Sequence, residues 1–508
     1  MVNENGKLLN FRPIVLICAT LIIGILLTVT LYCGIGLFTF LSCAFIILLI
    51  SFIIYFAVLK NKKVYITLIV SLIITLLVCF IFASKIFVNL NASSLGYQTV
   101  YGEIISVNSI TETDDGYNIS TFVKVLEGDY KGEVIKTYFN TNCLLFEGYK
   151  IKFCGQIDAN KIYFNGYFDY KLLKYGANYS CYKSETLSLD TQITNVFFAI
   201  KNLLYNRLSS AGETNYEFIY ALITGDTNFI SDVTLNKFRD VGVAHIFAVS
   251  GLHIGFLYSF ITLIFKPIKI NKLVKYFLTL ILLYLYAKFC GLTASCLRAF
   301  IIIAVSSFAK TIGLKNDKLS SVFLSAILVL TLNPSDLFSV GFHLSYTACL
   351  SLIFITPKIE KLLDNIFPNS VSKFVVPFIS AYLGTLPIIA DAFSNSTAFS
   401  MLFNALIVPI MSFVFILCFL TSLLLLIFSK LLFLVHVASA FVGVVIFIVN
   451  TLSFIAIKVS IKFAVSKLFY YFGLTLYSGV INLKRKTVKT IQITNFFVFL
   501  LVFLLINV

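Results

Sequence analysis

Apolar runs near the length of a membrane-crossing helix recur along this chain. They lie at 13–31, 36–59 and 64–83, and then, after a polar interval, at 241–265, 276–290, 292–309, 319–332, 338–356, 374–390, 399–429, 431–457, 468–483 and 490–508. A bilayer core takes about 20 residues of helix, and only helices or closed barrels satisfy their own backbone there. The pattern predicts a polytopic α-helical membrane protein of about 13 spans, the runs shorter than ~17 residues being short or re-entrant helices. Charge agrees: 12% of residues are charged, against roughly 25% in a soluble domain.

The interval between the two sets of runs has a different character. Alternation appears in Thr99–Val107 and Phe122–Leu126, with further β-like runs at Val134–Phe139 and Lys150–Cys154. Turn pairs separate them at Asp115-Gly116, Gly128-Asp129 and Asn165-Gly166. Short strands at this spacing predict a small β-barrel, and a five-stranded OB-like barrel closes a sheet in about this length. The expected organisation is 1–90 N-terminal transmembrane helices, 91–186 the inserted β domain, 187–240 interfacial and broken helices, 241–483 the main membrane domain, and 484–508 a basic loop with a last transmembrane helix.

Net charge is +16, but its placement argues against a simple nucleic-acid surface. Residues 97–186 hold nine Lys against eleven Asp and Glu. The basic excess lies in short loops between apolar runs, where positive-inside bias accounts for it. Lys7, Arg12 and Lys60–Lys63 put the N-terminus in the cytoplasm, and three crossings then put the β domain outside. Lys458, Lys462 and Lys467 break the rule beyond residue 430. Of eleven cysteines, Cys143, Cys154 and Cys181 are in the polar interval. Facing an oxidising exterior, one pair of the three is expected to be bridged, and spacing does not choose the pair.

Residues 240–256 place His245, Ser250 and His253 in a run of membrane length. Polar groups at that depth are costly and point to function. Ser250 and His253 are three apart, on one helical face, and Gly251 with Gly255 makes a small-residue face for close helix packing. Arg298 sits inside another apolar run, where it needs a counter-charge, a carbonyl, water or a phosphate.

The stretch His245-Ile-Phe-Ala-Val-Ser250-Gly-Leu-His253-Ile-Gly255 resembles the signature of the ComEC family, membrane channels of bacterial DNA uptake. Leu222-Ile-Thr-Gly225-Asp226 and Phe238-Arg239-Asp240-Val-Gly242 are similar to the family's lead-in. Gly291-Leu-Thr-Ala-Ser295-Cys-Leu-Arg298-Ala299 resembles a second motif. A third is Asn333-Pro334…Gly341-Phe-His343-Leu-Ser345-Tyr346, in which the family usually has Gln where His343 stands. Leu383-Gly-Thr385-Leu-Pro387 and Asn404-Ala-Leu-Ile-Val-Pro409 resemble a fourth.

The resemblance implies a bacterial cytoplasmic (inner) membrane channel passing single-stranded DNA inward during natural transformation. The path would be lined by Asp226, Arg239, Asp240, His245, Ser250, His253, Ser295, Arg298, His343, Ser345, Tyr346 and Asn404. Such groups hold phosphates without reading sequence. It also implies partners: a surface DNA receptor, a separate nuclease and a cytoplasmic ATPase. The family often carries a metallo-β-lactamase-like nuclease with a His-x-His-x-Asp-His cluster. His245, His253, His343 and His436 show no such spacing, so that domain is expected to be absent and no catalytic, metal or cofactor role is assigned. Two other readings stand beside the channel: an intramembrane serine hydrolase using Ser250 with His253 or His343, and a transporter of another anionic solute.

Overall fold

The computed structural model describes residues 13–32, 62–113, 116–160, 163–164, 167–247, 251–314, 317–363, 368–392, 396–397, 400–456, 458–459, 470–471 and 473–474. Ser250, Lys7, Arg12, the apolar runs at 36–59 and 490–508, most of 468–483 and the basic loop at 484–486 lie outside the described residues.

Helices α1 (Pro13–Tyr32) and α2 (Lys62–Leu90) pack as a pair and lead into the β domain. Its strands are β1 (Gly96–Thr113), β2 (Gly116–Val125), β3 (Val134–Thr141), β4 (Lys150–Ala159) and β5 (Ala177–Asp190). They close a barrel in the order β1-β2-β3-β5-β4, every pair antiparallel except β3 with β5. Alternation explains the inside: Ile104, Ile119, Ile135, Phe139, Ile151, Phe153 and Ile157 point inward and are buried. Phe139 and Phe153 meet edge to face at 5.4 Å. A short helix, α3 (Tyr170–Tyr175), precedes β5. Asp169 caps its start by accepting from the Lys171 backbone N–H, and Gly176 ends it at φ +69°, a conformation that glycine adopts without strain.

The expected disulfide is not formed. No disulfide joins Cys143, Cys154 and Cys181 to one another. Cys181 is part of the barrel interior, whereas Cys154 follows inward Phe153 and so faces outward, where Tyr97 Oη donates to its Sγ at 3.2 Å. Cys143 is exposed on the β3–β4 loop. Thiols on opposite faces of a sheet cannot reach disulfide geometry. Alkylation of the denatured chain without reductant should therefore label all three; protection of any two would refute this arrangement.

The helical body follows: α4 (Val196–Ser209), α5 (Tyr216–Thr224), α6 (Asp232–Val241), α7 (Gly251–Phe265), α8 (Lys272–Phe289), α9 (Ala294–Thr311), α10 (Lys318–Leu332), α11 (Val340–Phe354), α12 (Thr356–Leu363), α13 (Asn369–Ala392), α14 (Ser400–Ile427) and α15 (Phe433–Ile455). Among the described residues, five helices are long and apolar enough to cross a membrane, six if α11 and α12, bent by 47°, count as one span. Shorter apolar helices at Ile14–Val29, Gly251–Phe265 and Lys318–Leu332 add to these. Large apolar side chains face outward, Phe454 at 87% and Phe447 at 71% exposure, as expected of lipid-facing helices rather than of a surface in water.

Among the described residues, two large cores and a small one, Ile355, Ile359 and Val376 between α12 and α13, hold the body together. Of the large cores, one joins α4–α8 to α14 and α15; the other joins α1, α2 and α9–α11 to the barrel through Leu172 and Leu173 of α3. Lys174 of α3 reaches Asp336, in the turn before α11, at 3.9 Å. Proline inside α13 leaves a carbonyl without its helical donor. Pro387 cannot serve Leu383, and the Tyr470 hydroxyl donates to that carbonyl oxygen at 2.6 Å, beside Tyr471 on Gly384 at 3.0 Å.

Candidate functional site

The site gathers around Arg298. Thr293 caps the start of α9, its Oγ1 accepting from the Cys296 N–H at 3.4 Å. One turn later Arg298 turns into the body and is only 7% exposed. Its Nη1 donates to the Ser345 carbonyl and to Cys349 Sγ, both on one face of α11. The guanidinium lies 5.6 Å from the centre of the Tyr346 ring, within cation–π range. Tyr346 is fixed in turn by its hydroxyl against Ser325 Oγ at 3.2 Å.

Gly251, the first residue of α7, closes the other side. A methyl group there would come within 2.8 Å of Arg298 Nη2 and 3.4 Å of Ala299 Cβ. Absence of a side chain at 251 is thus what lets α7 lie over the guanidinium. At Gly255 a methyl group would meet nothing within 4 Å.

Among the described residues, no carboxylate forms an ion pair with Arg298, and its Nε is buried without a hydrogen-bond partner. Held, among the described residues, by a carbonyl, a thiol and a ring, this buried guanidinium is under-compensated. Its planar donors suit phosphate or carboxylate oxygens.

Of the residues expected to line a path, Ser345 and Tyr346 touch Arg298, and Ser295 lies nearby, its Oγ 3.5 Å from the Gly341 carbonyl. His343 is exposed on α11. His253 is buried, its ring against Phe415 with centroids 4.5 Å apart. His245 is exposed in a single tight turn, Ala244–Ile246. Asn404 on α14 donates to Ser400 O at 2.7 Å and to Gly242 O at 3.3 Å, with its Oδ1 buried and unpartnered among the described residues. Arg239 is exposed and donates to Asn236 Oδ1 at 2.8 Å, and Asp240 is half-buried on the same helix. Asp226 belongs to a different cluster, at the foot of the barrel with Lys201 and Glu147.

Sequence reasoning missed Cys349, although it falls four residues after Ser345 and so on the same helical face. It also missed Ser325 and Ser351, which no local pattern marks.

A model of the competence protein family matches residues 222–486. The chain is 30% identical over 195 residues to ComE operon protein 3 of Bacillus subtilis (strain 168), a match covering 38% of this chain and 24% of that protein. It is 28% identical over 237 residues to the uncharacterized protein MG316 of Mycoplasma genitalium, covering 46% of this chain and 59% of that one. A homologue of MG316 in Mycoplasma pneumoniae is 28% identical over 200 residues, covering 39% and 48%. These matches take in less than two thirds of each relative's length. No solved structure matches the chain. The family match takes in more than half of the residues, Gly251, Ser295, Arg298, Ser345, Tyr346 and Cys349 among them, and this chain belongs to the competence protein family.

Proposed function

We propose that the chain is a multi-pass channel of the bacterial cytoplasmic membrane that passes a single DNA strand inward during natural transformation. The observation that carries the reading is Arg298: a buried cation without a carboxylate among the described residues, inside the region that matches the competence family. An intramembrane cation of this kind stabilises a passing anion. Phosphate contacts from it and from nearby hydroxyls would be independent of sequence. One cation beside a carbonyl and an aromatic ring also binds weakly enough to release, which conduction requires.

The outer barrel is read as OB-like, supported by its strand order and its single parallel pair. Tyr138 and Tyr182 stack on its surface at 5.3 Å, with Lys136 5.8 Å from the Tyr138 ring. Lys171, on α3, is held below its ordinary pKa by burial and by the like charges of Lys136 and Lys174, partly offset by Asp169. These features suit a single strand, bases on rings and phosphates near lysines. A surface receptor, a separate nuclease and a cytoplasmic ATPase complete the expected machinery.

The test is uptake of labelled DNA by cells lacking the gene, with surface-bound and DNase-protected DNA scored separately. The expected result is normal binding with protection at background. Undiminished protection in a strain shown to be competent overturns the reading.

A further inference from the structure

A second, partly buried charge cluster lies where the barrel meets the helices. Lys201 of α4 is only 12% exposed and reaches Glu147 Oε2, on the β3–β4 loop, at 2.8 Å. Asp226, in the turn after α5, lines the same small cavity as both. Beside this pair the barrel makes apolar and neutral contacts with the helices. Phe146 wedges between Tyr205 and Phe229, with centroids at 5.1 and 5.5 Å. Asn228 Nδ2 donates to the Val107 carbonyl at 3.1 Å.

One ammonium thus faces two carboxylates in a site that closing the barrel onto α4 and α5 takes out of water. An unbalanced buried negative charge is costly, and the cheapest relief is for one acid to take a proton. Among the described residues, the titratable groups facing Asp226 besides Lys201 are Glu147 from the β3–β4 loop and Tyr220 from α5, while Cys290 just after α8 faces Lys201.

We infer that Lys201, shared between Glu147 and Asp226, clasps the barrel to the helical body, and that closing the clasp takes up a proton at Asp226. This holds whatever solute crosses the membrane.

Burial first, and Glu147 second, lift the Asp226 carboxyl to about 6, against the opposing effects of the Asn228 backbone and Lys201. Lys201 stays above its ordinary value because Glu147 outweighs the cost of burial. The sign follows. An acid whose value is raised in the docked form makes docking tightest below its ordinary pKa, and that contribution is lost as pH rises through about 6.

The clasp is tested by hydrogen exchange of the purified full chain in nanodiscs, following peptides that cover 143–149 and 226–231, with a β2 peptide covering 119–125 as the internal control. After correction for intrinsic rates, protection should be about tenfold greater at pH 5 than at pH 7.5. Asp226→Asn, which keeps the oxygen that accepts from the Asn228 N–H, should abolish that difference. Lys201→Met should speed exchange of both peptides by roughly a hundredfold and leave β2 unchanged. A pH effect that survives in Asp226→Asn, or wild-type protection of both peptides in Lys201→Met, overturns the inference. If Lys201→Met also loosens β2, the milder Asp226→Asn decides.

Discussion

Arg298→Ala is expected to lower DNase-protected DNA by about 10- to 100-fold, the worth of one or two charge-assisted hydrogen bonds at roughly 1.5–3 kcal/mol, while DNA bound at the cell surface stays unchanged. Truncating a buried ion often destabilises a protein because its partner is left unpaired. Among the described residues no such charged partner is present: the groups left behind are a backbone carbonyl, a thiol and a tyrosine ring. Protein level should therefore stay near wild type, which separates transport from folding. Arg298→Lys keeps the charge but loses the planar fork and should fall between the two. Equal losses of bound and protected DNA would remove Arg298 from the passage and leave it a structural cation.

Gly384→Ala is expected to destabilise the body by on the order of 2 kcal/mol, read as a lower thermal midpoint in detergent. The added methyl group would overlap Ser351 Oγ and come within 2.7 Å of Ser351 Cβ. The hydroxyl can rotate away, but Cβ is fixed to the α11 backbone. α11 and α13 must then move apart, and interiors packed to crystal density give little. Ser351→Gly in the same chain should restore most of the loss. A double variant no better than the single would place the strain elsewhere, for instance on the Thr347 carbonyl 3.4 Å away.

The barrel was largely legible because its signal is local. Inward residues of β1–β4 alternate in sequence, so the expected runs at Thr99, Phe122, Val134 and Lys150 fall within those strands, except that Leu126 lies just past the end of β2. The closing strand β5 was not seen as one. Its Ser180-Cys181 and Ser184-Glu185-Thr186 segments are polar, and its register slips against both neighbours, which erases a clean period of two. In the membrane region Arg298 declared itself, since a charge within an apolar run needs a reason. Its surroundings did not. Gly251, Tyr346 and Cys349 come from two other helices, and nothing in the chain states which helices adjoin. Lys201 looked like part of an interfacial helix because its two carboxylates lie 54 residues before it in one case and beyond the next helix in the other. The disulfide failed for a related reason: cysteine counting ignores which face of a strand each thiol occupies.

The way the chain passes through the barrel has a mechanical consequence. Both the first and last strands pair with β4, but Gly96 starts beside Ile157, while Asp190 ends beside Lys150. The chain therefore arrives at one end of β4 and departs from the other, about 20 Å away at ~3.3 Å per residue. Inserted domains are usually excisable because their termini are close together; this one is a strut in series with α2 and α4. Cutting it out and joining the ends with a short turn would drag those helices together. A flexible Gly-Ser replacement would need roughly 15 residues to span the gap at rest, and tension applied to α2 would load the barrel's strands in shear along their length rather than peel them one bond at a time.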